Sequence, residues 1–166
     1  NRQFGTNYVS VMPTNLYGPG DSFDLQNSHV LPALMRRIDE AKRKRAPAVA
    51  IWGTGTPRRE FLYVDDMASA CIHLMEHYDS SEIMNIGSGD DLSIRDLVER
   101  IQRLVGYEGR LEFDPSKPDG VPLRRLDISR LRATGWSPAI SLEEGLRRTY
   151  QWFTENQEHL RTGPGT

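Results

Sequence analysis

The run Met-Pro-Thr-Asn-Leu-Tyr-Gly-Pro-Gly-Asp over residues 12–21 follows a short apolar segment, Tyr8–Met12, that reads as a buried strand. Pro13 removes a backbone donor as the chain leaves that strand, and Gly18 with Pro19 forces a turn. A strand ending in such a turn lies where α/β sheets bind ligands, at the carboxyl edge. An ordinary strand and loop with a packed tyrosine reads equally well from these residues alone. His29 comes next, a side chain able to give and recover a proton near neutrality, or merely to help cap the helix it opens. In that helix Leu31, Leu34, Met35 and Ile38 form one stripe, with Arg37 at its shoulder and Arg36 on the far side. Arg37 is therefore the arginine placed to reach inward, and a guanidinium can bond a pyrophosphate bidentately. Asp119 offers an acceptor carboxylate suited to a base or a hydroxyl.

Other chemistries find less support. His73 and His77 share a helix face at i, i+4 spacing, but no third ligand accompanies them and no metal site is expected there. Cys71 is the single cysteine, which excludes an internal disulfide framework and fits a reducing cytosol; it falls in an apolar stripe with Met67 and Leu74 and reads as core. With 21 basic against 23 acidic residues, the net charge of -2 creates no whole-molecule field for nucleic acid, so an anionic ligand must be held by local arginines. The run Lys42–Arg45 sits at a helix carboxyl end, where cations offset the macrodipole. No apolar run approaches the ~20 residues of a membrane span.

Positioning these side chains falls to alternating elements. Strands are expected over 8–12, 48–52, 59–64, 83–87 and 110–113, and helices over 29–45, 65–78, 93–105, 127–133 and 141–156. This alternation predicts an α/β class with parallel pairing. Ser93 with Asp96, and Ser141 with Glu144, carry the capping pattern that opens a helix. Loops 53–57 and 114–122, rich in Gly, Pro and Asp, are expected to shape a pocket, and Gly87-Ser88-Gly89 reads as a turn after a strand.

Two segments in order carry a family resemblance: Pro13-Thr14-Asn15-Leu16-Tyr17-Gly18-Pro19 after its strand, then Arg59-Glu60-Phe61-Leu62-Tyr63-Val64-Asp65-Asp66-Met67-Ala68. They resemble the extended short-chain dehydrogenase/reductases of the NAD-dependent epimerase/dehydratase family, which act on nucleotide sugars. The segments Asn27–Arg37, Trp52–Phe61 and Lys117–Gly120 look like those of the GDP-L-fucose synthases, and the likeness runs from Asn1 to about Leu160. The resemblance implies an NADP(H)-dependent 3,5-epimerase and 4-reductase acting on GDP-4-keto-6-deoxymannose in the cytoplasm. It implies a partial Rossmann-like parallel sheet plus a smaller substrate-binding α/β domain. Residues 1–28 would form a late Rossmann strand and its cofactor loop, 29–160 mostly the substrate-binding domain with interleaved Rossmann elements, and 161–166 a disordered tail.

By the same resemblance Pro13, Thr14, Asn15 and Leu16 lie along the cofactor, and His29 touches cofactor and sugar as the general acid of epimerisation. Arg37, Trp52, Arg59, Asp119 and Arg124 would bind the GDP-sugar; the family commonly has Lys at the last of these, which changes that contact's geometry. None of the six tyrosines is followed four residues later by Lys, and no Gly-x-x-Gly-x-x-Gly occurs among the 14 glycines. The chain is therefore expected to be the carboxy-terminal portion of a larger enzyme, holding half an active site and partnered by the missing amino-terminal half, with the complete protein a homodimer. Another nucleotide-sugar epimerase or reductase, and a non-catalytic nucleotide-sugar binding module, are the alternatives.

Overall fold

The alternating periodicity becomes, in a computed structural model that describes residues 1, 3–25 and 27–159, eight strands and five α-helices. In chain order they are β1 (Val11–Pro13), β2 (Asn15–Tyr17), α1 (Val30–Arg43), β3 (Ala48–Trp52), β4 (Arg58–Tyr63), α2 (Val64–His77), β5 (Met84–Ile86), β6 (Asp91–Ser93), α3 (Ile94–Val105), β7 (Arg110–Asp114), β8 (Leu123–Arg124), α4 (Ser129–Ala133) and α5 (Leu142–Glu155), followed by a 3-10 turn at Gln157–His159. The fold is α/β, and its pairings β1–β5, β2–β4, β3–β7 and β4–β8 are all parallel; β6 alone runs antiparallel, against β4. The tail expected over 161–166 lies outside the described residues.

Each helix forms where one face can be buried. In α1 the stripe Leu31, Leu34, Met35 and Ile38 meets Leu97, Val98 and Ile101 of α3 in the larger core, which also takes in Val49 and Ile51 of β3 and Leu146 and Phe153 of α5. At the start of α3 the Ser93 hydroxyl accepts the Asp96 amide at 3.0 Å while the Asp96 carboxylate accepts the Ser93 amide at 3.4 Å, the reciprocal box expected from the sequence. Gly106 ends that helix in the left-handed conformation at φ 69°. Ser141 caps α5 through the Glu144 amide at 3.3 Å.

Strand β4 divides the interior. Side chains alternate along a strand, so Phe61 and Tyr63 face the larger core while Leu62 faces a second one built from Leu74 and Ala70 of α2, Met84 and Ile86 of β5, and Leu131 of α4. Glu60 shares the face of Leu62 and is fully buried. Its carboxylate accepts the amides of Gly89 at 2.7 Å and Leu126 at 2.9 Å, while its carbonyl accepts the Asn15 amide group at 2.8 Å. Gly87 packs against that carboxylate so closely that a Cβ there would overlap it.

The segment 8–12 differs from its expected form. Only Val11 onward enters the ladder, and Tyr8 and Met12 are 75% and 52% exposed rather than buried. Among the described residues β1 has a neighbour on one side only; Val11 packs partly against the second core, and Met12, on the other face, meets solvent. At Thr14 the chain changes partner: the Thr14 amide still donates to Ile86 of β5 at 2.9 Å, and from Asn15 the strand pairs with β4 instead. Among the described residues no helix is long and apolar enough to cross a membrane.

Replacing Glu60 with Ala strands the Gly89 and Leu126 amides. Urea denaturation of the variant should show a loss of about 2 kcal/mol, the scale of partly buried donors left without acceptors.

Candidate functional site

The divergence of β1 from β2 opens a cavity of about 600 Å³, walled by Pro13, Thr14, Asn15 and Leu16, by the 17–21 turn, by His29 and Val64, and by Arg124 and Leu126. The turn is tight: Gly20 takes a left-handed φ of 81°, and a side chain at Gly18 would run into Val64. Two anchors hold the far wall. Leu126 is tied to Glu60, and Arg125 bonds Asp91 at 3.1 Å, so Arg124 is presented between fixed neighbours. Asp91 also pairs with Arg58, and these two guanidiniums, Arg58 foremost, hold its carboxyl below the usual range.

His29 precedes the first turn of α1. Its side chain makes no cap hydrogen bond, which removes the capping role that its position alone allowed. The imidazole is exposed and borders the cavity.

A second cavity, of about 230 Å³, begins one residue further on at Val30 and is lined by Trp52, Gly55, Pro57, Arg59, Ile94 and Asp119. Trp52 ends β3 with its indole 65% exposed, and the cations of Arg37 and Lys117 each lie 5.8 Å from the ring centroid. Exposed indole bordered by cations suits a flat ring joined to phosphates. The Arg59 guanidinium spans the neighbouring loop by donating to the carbonyls of Arg58 at 2.8 Å and Val121 at 2.7 Å. Asp119 is engaged within the protein: its two oxygens accept the Thr54 amide at 2.6 Å and the Thr54 hydroxyl at 2.7 Å, clamping loop 114–122 onto loop 53–57. Arg95 closes the same loop from α3, stacked 3.8 Å over Phe113 and bonded to the Thr54 carbonyl at 3.0 Å.

The sequence-predicted residues thus fall into two adjoining groups. Pro13, Thr14, Asn15, Leu16, His29 and Arg124 share the larger cavity; Trp52, Arg59 and Asp119 share the smaller, with Arg37 beside the indole. Arg124 lies with the histidine rather than with Trp52. Asp21 and Lys117 are additions, Asp21 bordering the larger cavity and Lys117 the indole. Asp21 carried one signal, its place directly behind the Gly-Pro-Gly turn; Lys117 carried another, as the first residue of the family-like segment Lys117–Gly120 in a loop expected to shape a pocket.

The profile of the NAD dependent epimerase/dehydratase family matches residues 1–87, and the GDP-L-fucose synthase of Escherichia coli (strain K12) is 55% identical over 97% of this chain. The chain belongs to the NAD-dependent epimerase/dehydratase family. GDP-L-fucose synthase 1 of Arabidopsis thaliana is 53% identical over 93% of the chain. The structure of a GDP-L-fucose synthetase from Naegleria fowleri bound to NADP superposes with a TM-score of 0.87, at 33% identity over 93% of the chain and 49% of its own. The chain spans about half the length of the curated relatives it matches, covering 53% and 48% of the bacterial and plant enzymes.

The depressed Asp91 carboxyl sets a pH dependence. A folded-state value below the ordinary 3.8 contributes stability that is complete above 3.8 and is lost as pH falls through the lower folded value. Asp91→Asn should therefore unfold at lower urea concentration than the parent near neutrality, and the difference should shrink as the pH falls below the ordinary 3.8 and through the lower folded value.

Proposed function

We propose that this chain forms part of an NADPH-dependent enzyme that epimerises and reduces GDP-4-keto-6-deoxymannose to GDP-L-fucose. The observation that carries the reading is the meeting of two cavities at consecutive residues, His29 and Val30, at the start of α1. One ligand can then run from an acid–base group, past the amides of a helix start, to an exposed indole bordered by cations. The 55% identity to the bacterial GDP-L-fucose synthase supports the choice of GDP-sugar.

In this reading Pro13, Thr14, Asn15 and Leu16 border the cofactor, and the larger cavity, with its mixed polar and apolar lining, accommodates a nicotinamide end. When bound, the nicotinamide supplies hydride. His29 transfers protons during epimerisation and contributes only positioning to the reduction. Arg37 and Arg59 hold the diphosphate, and Trp52 packs against the nucleotide. Asp119 acts by fixing the Thr54 loop beside that nucleotide, and Arg124 serves the sugar side. The tyrosine–lysine pair that donates the reduction's proton in this family would come from a second polypeptide segment, since none of the chain's tyrosines precedes a lysine by four.

A chimera tests the reading directly: this chain replaces the matching part of the Escherichia coli enzyme, and GDP-4-keto-6-deoxymannose is offered with NADPH. GDP-L-fucose should form. His29→Gln in the chimera should slow solvent deuterium incorporation by ~100-fold or more while leaving ligand binding intact. Arg37→Ala should weaken GDP binding by ~1.5–3 kcal/mol with little effect on NADPH. Formation of product only with UDP-sugars, or equal losses for both ligands, would refute the assignment.

A further inference from the structure

Arg37, Arg59 and Lys117 meet around Trp52 and its cavity, and the structure commits them unequally. We propose that Lys117 is a phosphate-binding residue, whose ammonium closes on the diphosphate of a nucleoside diphosphate seated against Trp52. The Arg59 guanidinium is held by the carbonyls of Arg58 and Val121, and Arg37 donates to the Ala50 carbonyl at 3.4 Å. Among the described residues the Lys117 ammonium makes no hydrogen bond and no ion pair; it rests 5.8 Å from the centroid of the indole. The carboxylates of its own loop are engaged elsewhere. Asp114 accepts the Ser116 amide at 3.0 Å and the Ser116 hydroxyl at 2.6 Å, and Asp119 accepts the amide and hydroxyl of Thr54. The Ser116 bonds foremost, and the charge of Lys117 least, hold the Asp114 carboxyl below the usual range.

The backbone places this lysine. Its amide donates to the Asp114 carbonyl at 3.2 Å, closing a turn, and the Asp119 clamp pins the loop two residues further on. That clamp needs a glycine opposite: Gly53 takes a left-handed φ of 83°, and a Cβ there would overlap the Asp119 carboxylate. With the main chain already held, binding orders only the side chain, which keeps the entropic cost small. Lysine carries three donors that rotate on a flexible stem. They can follow a phosphate that the planar forks of Arg37 and Arg59 meet from fixed directions. The exposed resting position beside the indole leaves the ammonium within reach of a nucleotide packed on that ring.

The ligand class rests on the reading given under the proposed function, while the part played by Lys117 is measured without any reaction. GDP and GMP are titrated calorimetrically into the 166-residue protein at low salt. Lys117→Gln should weaken GDP about tenfold, the lower end of a charge-assisted hydrogen bond, and GMP by no more than about twofold. The preference for the diphosphate thus collapses. Lys117→Arg should restore most of the GDP affinity, and the deficit of Lys117→Gln should narrow as salt is raised. Lys44→Gln, beyond the carboxyl end of α1, removes the same charge from the molecule and should leave GDP binding unchanged. If Lys117→Gln fails to fold, the unaltered protein decides: GDP must shift the Lys117 side-chain NMR resonances, and GMP much less. Equal losses for GDP and GMP, no loss, or an unaltered protein that takes up no GDP at millimolar concentration overturns the proposal. Unchanged GDP binding in Lys117→Gln with an active chimera removes Lys117 from the site and leaves the proposed reaction standing. Lys117-dependent GDP binding with an inactive chimera keeps the contact and removes the reaction.

Discussion

A carboxylate with no exposed surface stands near the middle of β4, and the walls of the larger cavity lead back to it. Burying such a charge is costly unless hydrogen bonds replace the lost water. Here two backbone amides do so, one from Gly89 and one from Leu126. Each donor belongs to a segment outside the regular strands and helices, so satisfying Glu60 ties both to β4. Its carbonyl meanwhile holds the side chains of Asn15 and Thr14 on the opposite wall. The arrangement works only because residue 87 lacks a Cβ.

Strand β4 extends this control to the rest of the molecule. Its alternate side chains enter separate apolar clusters, and it has β2, β6 and β8 as neighbours. The first residues of α1 then fall between two cavities: His29 borders one and Val30 the other. Direct ion pairing stabilises the surroundings more than the site itself. Asp91 gathers Arg58 and Arg125, whereas Arg37 and Lys117 flank the indole of Trp52.

Much of this was legible in the residues. The four longer helices stood out because each carries an apolar stripe, and the Ser93–Asp96 box announced its own helix start. Strands β2, β6 and β8 were missed because two or three residues carry no periodicity; they exist through pairing with β4. The turn Gly87-Ser88-Gly89 read as a connector, since nothing local reveals that its amide will meet a carboxylate 29 positions away. Asp119 was read as a ligand contact, while its oxygens are engaged by Thr54, a partner 65 residues distant. Segment 8–12 looked buried because apolar content reports hydrophobicity and not the presence of a neighbour. The family motifs located the site, and the tertiary hydrogen bonds distributed its residues between two cavities.

The parallel pairings have a kinetic consequence. Parallel strands cannot be joined by a tight hairpin, and here each parallel partner lies far along the chain: Val11 meets Met84, Asn15 meets Phe61, and Ala48 meets Arg110. Chain closure over such spans costs entropy before any contact rewards it, which slows folding relative to a helical bundle of equal size. Helices α1, α3 and α5 can associate early through their apolar faces. The larger cavity, by contrast, is walled by β1, β2 and the 124–126 segment, which the chain brings together only through contacts of long sequence separation.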